Sequence, residues 1–461
     1  MKKRLALLSF VGALMVAGPT YAQLDQLFDR IFNKILRDDL RLSTGGTDTT
    51  QQAIDRTHGI HYFPAARLAN EKLTPALNSL IASNVSSFPL SSTVAGVTFD
   101  ISSGLPVKIT ESLGPIFAET AATLGKDKLN VGLTYSYLNL SKFRGVPTQD
   151  IRFSFAHQEI SNPNNVVLGD NPTESDYIDL FLGLDVNAEI YAFFATYGVA
   201  KNLDIGLAVP FVRLDLRANA MAVINSYSFA IVGNAVHRFN EDPANPQLVD
   251  LVSENESVAG IGDIGVRLKY NFVRSPGLSL AALADIRLAT GNEHDFLGTA
   301  NTNARVSFIA SKKLNDFSPH LNIGYERRPA GLDSDELEFV VGFDQKVASG
   351  VTFAAEFLGE FDLNRDETIE LFPGTQQLID SNTSFTTPAN PPSRPAGGRQ
   401  VRNIDLSNVP ARQRDNLFDA ALGFRVAASE KLLLFGNVIV PLNDSGLRSS
   451  VAPTFGVTVN F

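Results

Sequence analysis

The chain has 461 residues, 44 % of them apolar, with 39 Lys and Arg against 49 Asp and Glu, and neither cysteine nor tryptophan. The formal charge of −10 speaks against nucleic acid as a partner, because neutralising phosphates needs the opposite sign. Without cysteine there is no disulfide, thiolate metal site or thiol chemistry, and folding does not depend on an oxidising compartment.

The N-terminus, "MKKRLALLSFVGALMVAGPTYAQ", sets Lys2, Lys3 and Arg4 before an apolar run from residue 5 to about 17. It ends in Thr20-Tyr21-Ala22, so a secretory signal peptide over residues 1–22 is expected, cleaved after Ala22. The run is shorter than the ~18 residues of a spanning helix, and nothing later in the chain reaches that length. Loss of the three leader cations leaves 39 − 3 = 36 basic against 49 acidic residues, a charge of −13.

Residues 23–125 are expected to form a small, partly helical N-terminal segment. In "LDQLFDRIFNKILRDDL", Leu24, Leu27, Phe28, Ile31, Phe32 and Ile35 fall at helical spacing, and "ARLANEKLTPALNSLIASN" reads as a second helix. Two roles fit: a periplasmic or lumen-docked segment, or a plug that closes a barrel.

From about residue 128 onward, apolar and polar residues alternate. "KLNVGLTYSYL" sets Leu129, Val131, Leu133, Tyr135 and Tyr137 against Asn130, Gly132, Thr134 and Ser136. "VTFAAEFLGEFD" sets Val351, Phe353, Phe357 and Phe361 against Thr352, Glu356, Glu360 and Asp362. Strand side chains point alternately to two faces, so each stretch reads as a two-faced strand. Twelve are predicted, over 129–142, 178–198, 203–218, 262–272, 278–289, 304–312, 317–328, 336–346, 351–362, 417–427, 431–441 and 451–461. If "VAGVTFDI" (94–101) and "GPIFAETA" (114–121) join the wall, the count becomes 14.

Short links at 199–202, 274–277, 313–316, 347–350 and 427–430 alternate with longer ones at 144–175, 219–260, 290–303, 329–335, 363–415 and 442–450. Short turns at one end and long loops at the other are the wiring of a transmembrane β-barrel. The last stretch, "SVAPTFGVTVNF", ends on Phe461, like the C-terminal signature by which outer-membrane barrels are recognised for assembly. A soluble β-sandwich alternates too, but gives less reason for the loop asymmetry or the terminal Phe. The expectation is therefore an all-β, antiparallel transmembrane β-barrel of 12–14 strands over residues 126–461. Its extracellular loop at 363–415 contains "TTPANPPSRPAGGRQ", too rich in Pro and Gly to extend a strand; it either caps the mouth or folds into it.

One motif invites a different reading. "AGIGDIGVRLKYNF" (259–272) spells G-x-G-x-x-G with Gly260, Gly262 and Gly265, the dinucleotide fingerprint. A helix must open on its last glycine, whereas Ile264, Val266, Leu268, Tyr270 and Phe272 alternate as a strand, and the preceding "LVSENESVA" reads as a loop. The glycines mark the rim of a barrel wall.

Five phrases, "GPIFAETAATLGKDKLNVGLTYSYL" (114–138), "YAFFATYGVAKNLDIGLAVPFVRLDL" (191–216), "GIGDIGVRLKYNF" (260–272), "DIRLATGNEHDFLGTA" (285–300) and "SPHLNIGYERR" (318–328), resemble the outer-membrane family known as the MetA pathway of phenol degradation. That family is related to the fatty-acid and aromatic-hydrocarbon outer-membrane channels. The resemblance runs over about 114–362 and implies a transport-type barrel in the cell outer membrane. It further implies passive uptake of small solutes, hydrophobic or aromatic ones among them. The missing tryptophan departs from the usual aromatic girdle, which 32 Phe and 10 Tyr would have to supply.

With the apolar faces toward lipid, the candidate lumen-lining residues are Asp263, Arg267, Lys269, Asp285 and Arg287 in the first hairpin of the second half. His320, Glu326, Arg328, Glu336 and Glu338 follow, then Glu356, Glu360, Asp419 and Arg425. Mixed signs fit either ion pairs that hold a polar interior together or a charged lining that selects solutes. No catalytic, cofactor or metal residue is predicted. The histidines at 58, 61, 157, 237, 294 and 320 offer one close pair, His58 and His61, without a third ligand. Two alternatives remain: an outer-membrane hydrolase with a Ser–His pair at the lipid boundary, or a structural or adhesive barrel. The expected partners are outer-membrane lipids, the barrel-assembly machinery through Phe461, and a small-molecule solute, with no nucleic acid and no cofactor.

Overall fold

The computed structural model describes residues 23–42, 62, 65–86, 112–157, 176–226, 237–242, 245–275, 277–328, 334–363, 374–380, 400–411 and 414–461. The expected signal peptide, the 94–101 stretch, His58, His61 and most of the Pro/Gly-rich loop lie outside the described residues.

Twelve antiparallel strands form one closed wall: β1 Leu129–Phe143, β2 Tyr177–Ala200, β3 Leu203–Asn225, β4 Ile264–Ser275, β5 Leu278–Leu288, β6 Asn303–Lys312, β7 Phe317–Arg327, β8 Glu336–Ala348, β9 Val351–Asp362, β10 Leu417–Ala427, β11 Leu432–Pro441 and β12 Ala452–Asn460. Each pairs with the next, and β12 pairs back to β1, with Asn130 facing Asn460 and Ser136 facing Thr454. Phe461 seals the seam. Its N–H donates to the Leu129 carbonyl at 2.8 Å and its carbonyl accepts from the Leu129 N–H at 3.1 Å. Closure leaves the wall without an open edge, which is what a sheet crossing a lipid bilayer requires. Among the described residues no helix is long and apolar enough to cross a membrane.

The wall changes polarity along its height. On β2 the outward residues Tyr191, Phe193, Tyr197 and Val199 are apolar, and on β3 so are Leu203, Ile205, Leu207 and Phe211. Beyond Tyr191 and Phe211, which face one another, the outward set becomes Asp185, Asn187, Glu189, Arg213, Asp215 and Arg217. Over the same stretch the inward set becomes apolar, with Leu180, Leu182, Leu184, Leu214 and Leu216 buried. Tyr191 to Val199 matches the about 9–11 residues a tilted strand needs to cross a bilayer. The rest of β2 and β3 is an extension at the long-loop end whose inside is apolar and whose outside mixes these charges with Phe181 and Met221.

That greasy interior is filled by the N-terminal helices, α1 Leu27–Asn33 and α2 Thr74–Ser86. Leu24, Leu27, Phe28, Ile31, Phe32 and Ile35 are fully buried, as their spacing predicts, in one cluster with Leu77 and Ile81 of α2 and the inward leucines of β2 and β3. Each such side chain contributes about 1.5–3 kcal/mol through burial. Arg30 reaches across from α1 to Glu254 and Glu256, at 3.2 and 3.1 Å.

Phenylalanine supplies an outer aromatic belt on β7 to β10. One row near the short turns runs Phe317, Phe343, Phe353 and Phe424, with ring centroids 5.2 to 6.3 Å apart. A second row, nearer the loops, joins Phe339, Phe357, Phe361 and Phe418 at 5.5 to 6.0 Å. Tyr135 and Tyr191, 5.0 Å apart, sit at the upper edge on the opposite side.

One expectation is corrected, and three open stretches gain a place. Residues 114–121, whose membership of the wall was open, form part of an extended strap, and the wall has the twelve strands expected without them. "LVSENESVA" is not a loop: Val249–Ile261 is a strand paired to β3, from Phe211↔Ile261 to Val223↔Val249. It runs into β4 through a bulge at Gly262–Asp263, so G-x-G-x-x-G joins strand to strand. The link at 144–175 carries the strand Ile151–Ala156, laid along the upper part of β2. The loop at 363–415 carries a hairpin: Thr375–Asp380 pairs with Gln400–Asp405, and its continuation docks on Ile151–Ala156 through the Ser154 N–H to the Leu406 carbonyl at 2.9 Å.

Candidate functional site

The strap, residues 112–125, crosses the barrel interior near the short-turn end and binds the wall through side chains. Glu356 of β9 is the main fastening: its carboxylate accepts the N–H groups of Ile116, Phe117 and Ala118 at 2.6, 2.8 and 3.1 Å. Three successive N–H groups turned toward one carboxylate form a concave anion site, and charge-assisted bonds of this kind are roughly twice as strong as neutral ones. Thr352, four residues earlier on the same face of β9, accepts the Leu113 N–H at 2.8 Å. From the strap side, Glu119 takes Lys269 and Arg267 of β4, each at 3.2 Å. Ser311 of β6 accepts the Ala121 N–H, Asp204 of β3 the Leu124 N–H, and Asn271 donates to the Ala121 carbonyl at 2.7 Å. The strap then enters β1 against Gly198, where a Cβ would lie 1.8 Å from the Gly125 carbonyl oxygen; only glycine fits there.

The strap separates cavities. On its long-loop side lie two of about 470 and 690 Å³, counting their open mouths. The upper one is bordered by Val85 and Ser86 at the end of α2, by Ile190, Pro210 and Leu297. The middle one is bordered by Phe117, Leu283, Val340, Leu358, Glu338 and Glu360. Arg267 and Arg287 border both. On the short-turn side a third, of about 640 Å³, is bordered by Gly114, Pro115, Thr120, Ser311, His320 and Asp344.

The candidate residues fall on the inward face, and most are engaged. Arg267 bonds Asp285 at 2.9 Å, Arg305 bonds Asp285 at 3.0 Å and Glu338 at 2.7 Å, so Lys269, Glu119, Arg267, Asp285, Arg305 and Glu338 form one chain of alternating charge. Arg328 pairs with Glu326 and Glu336, and Asp419 with Arg448. His320 lies 3.4 Å from both Asp344 and Glu356. Arg425 donates to the Ile116 carbonyl and stacks over Phe435. Glu360 borders the middle cavity directly opposite Glu338 in the register.

Asp263 serves a local purpose. The bulge turns its carboxylate toward the 289–302 loop, where it accepts the N–H groups of Thr290, Gly291 and Thr299 and the Thr299 hydroxyl at 2.9 to 3.1 Å. The loop also meets the N-terminus: His294 Nδ1 and the Asp25 carboxylate are 2.6 Å apart. Sequence reasoning missed Glu119, Arg305 and Asp344. Glu119 stood in the N-terminal segment, in a stretch whose place in the wall was open, and Arg305 and Asp344 follow from the same alternation that selected their neighbours.

Elsewhere, His237 Nδ1 lies 2.6 Å from Asp176, and His157, His237 and Tyr62 meet edge to face at 5.4 Å in a fully buried cluster. Among the described residues no group of His, Asp or Glu is arranged to hold a metal.

The model of the family described as "Putative MetA-pathway of phenol degradation" matches residues 169–390. No curated protein matches the sequence. Among solved structures, an outer-membrane channel from Pseudomonas putida F1 is 10 % identical, over 74 % of this chain and 98 % of that one, with a TM-score of 0.40. A FadL homologue from Pseudomonas aeruginosa is 10 % identical over 81 % and 98 %, at 0.33. The toluene transporter TbuX from Ralstonia pickettii is 13 % identical over 82 % and 99 %, at 0.29.

Proposed function

We propose that this chain, matched over residues 169–390 by the model of the family described as "Putative MetA-pathway of phenol degradation", is an outer-membrane channel for passive uptake of small solutes, hydrophobic or aromatic ones among them, and that residues 112–125 are its internal closure. In this reading the short turns face the periplasm and the long loops the exterior. The observation that carries it is the strap: a stretch of chain lies across the interior of a lipid-faced barrel, with cavities on both sides. It is fastened by side chains rather than built into the sheet. A barrel that only anchors or adheres has no use for a divided lumen.

A solute entering from outside would reach the upper cavity beside Ser86, pass Arg267 and Arg287, and meet Phe117 on the strap. Movement onward needs the Glu356 and Glu119 contacts to yield, and its driving force is the solute gradient alone. Export by the leader, insertion among outer-membrane lipids and recognition by the assembly machinery through Phe461 belong to the same reading. Phe461 suits that last role, since its side chain is 64 % exposed at the short-turn rim.

The test is flux. The purified full chain, shown to be folded by heat-modifiable migration, is reconstituted in liposomes and uptake of small sugars and aromatic solutes is followed. Transport above protein-free liposomes is expected. Folded protein that passes none of them, with Glu356 intact or replaced by Gln, would leave a structural or adhesive barrel as the better account.

A further inference from the structure

We infer that Arg287 is an anion-binding residue and that the preferred solutes are small aromatic carboxylates, an inference that rests on the channel reading above. Three guanidinium groups border the upper and middle cavities, those of Arg267, Arg287 and Arg305. Two are committed: Arg267 to Glu119 and Asp285, Arg305 to Asp285 and Glu338. Arg287 differs. Its one hydrogen bond within the described residues runs from Nη1 to the Ser86 carbonyl at the end of α2, at 2.9 Å, and it makes no ion pair there. Asp285, its neighbour on the same face, is already bonded by the other two arginines.

A guanidinium carries five N–H donors in a planar fork that matches a carboxylate in a bidentate pair. Arg287 uses one of them, and it stands where the two cavities meet. The wall around it supplies the rest of a recognition site. Phe117, Leu283, Val340 and Leu358 give the otherwise polar middle cavity one apolar surface for an aromatic ring to lie against. An uncommitted cation beside an apolar surface favours a solute with one carboxylate on a small aromatic body. A neutral hydrocarbon would leave its remaining donors unused although Asp285 and Glu326 lie within reach of its charge, and a dication would meet it with like charge. Glu338 and Glu360 across the cavity disfavour a second negative group on the solute.

The experiment pairs nicotinate with nicotinamide, which differ by the carboxylate, in the same liposomes carrying the full-length protein without an imposed potential. Protein-dependent uptake of nicotinate is expected to exceed that of nicotinamide at least tenfold. Arg287→Gln should cut this ratio by about tenfold, and Arg287→Lys, which keeps the charge but not the fork, should restore part of it. Arg327→Gln, at an exposed guanidinium, should leave the ratio as it is. Heat-modifiable migration confirms that each variant is folded, and calorimetric titration of the detergent-solubilised protein with nicotinate gives a second reading that does not depend on flux. A wild-type ratio near one, or an unchanged ratio and nicotinate affinity in Arg287→Gln, would overturn the inference while the channel reading stands. Absence of protein-dependent uptake of either probe, and of sugars, would overturn the channel reading and this inference with it.

Discussion

The carboxylate of Glu356 receives the backbone N–H of Phe117 at 2.8 Å, so a side chain of the wall holds the main chain of the strap. With Ile116 and Ala118 donating to the same group, the middle of the strap hangs on one charge. Glu356→Gln keeps the shape but turns one acceptor into a donor facing N–H groups. Unmet bonds to a charged group cost about 1.5–3 kcal/mol each, shared here among three donors. Single-channel recordings should show conductance raised several-fold with more frequent openings, at a stability cost of about 3 kcal/mol by urea unfolding. A variant as quiet as the wild type would mean that the strap does not close the lumen.

Asp263 acts in the same manner on the 289–302 loop, with tighter sterics. A Cβ on Gly298 would stand 2.5 Å from the Asp263 Oδ1, and one on Gly291 would stand 2.3 Å from the Leu297 carbonyl. Gly298→Val should therefore push the loop off the carboxylate, and Asp263→Ala should free it by removing the acceptor. Both should make the loop sensitive to protease added to intact cells, while the barrel core stays resistant. Equal protection in wild type and variants would show that the loop is held by something else.

Much of this architecture was legible because a strand's side-chain period is fixed: all twelve wall strands follow from alternation and turn chemistry. The one misread stretch and the open one share a physical cause, long-range contacts that no local window contains. Val249–Ile261 read as a loop because its inward positions include Glu254 and Glu256, which look like solvated residues. They are inward because Arg30, far off in sequence, lies against them. Residues 114–121 resembled a strand because their apolar content is high, yet their N–H groups are satisfied by Glu356 and Ser311 side chains rather than by a neighbouring strand. The inward charges could be identified, but not which of them were already paired, and that distinction singles out Arg287.

The contact between His294 and Asp25 gives a pH dependence outside the membrane-crossing part. The hydrogen bond that His294 donates to the Asp25 carboxylate, and then the charge of Asp25, hold the His294 imidazolium above its ordinary value of 6.5, with slight burial opposing. A histidine raised on folding stabilises the folded state fully below its unfolded pKa, and that contribution is lost as pH rises through the folded one. The tie between α1's leading turn and the loop should thus be firm in mildly acidic medium and weaken as pH climbs above about 6.5. Hydrogen exchange of residues 24–38 should quicken over that range in the wild type. In Asp25→Asn the exchange should already be fast at low pH, and the NMR titration of His294 should move down toward the ordinary value. A His294 titration identical in both proteins would remove the mechanism.

The polarity switch along the wall predicts that one substitution has opposite consequences at two heights. Ile323 lies outward in the middle of β7, 43 % exposed, where the reading places lipid. Leu251 is more exposed, at 70 %, but belongs to the Val249–Ile261 strand, beyond the row where Tyr191 faces Phe211 and Phe211 faces Ile261. An arginine near the bilayer midplane costs about 2–4 kcal/mol, falling toward zero at the interfaces. Ile323→Arg should lower the urea midpoint of the reconstituted protein by that amount and reduce its assembly in membranes. Leu251→Arg should change stability by no more than about 0.5 kcal/mol, the usual range for an exposed site in water, and should improve solubility after extraction. If Leu251→Arg were the costly one, the apolar band would extend over the whole length of β3, and the charged residues Arg213, Asp215 and Arg217 would have to sit in lipid. Their pattern, alternating in sign on the outer face, is that of a surface in water.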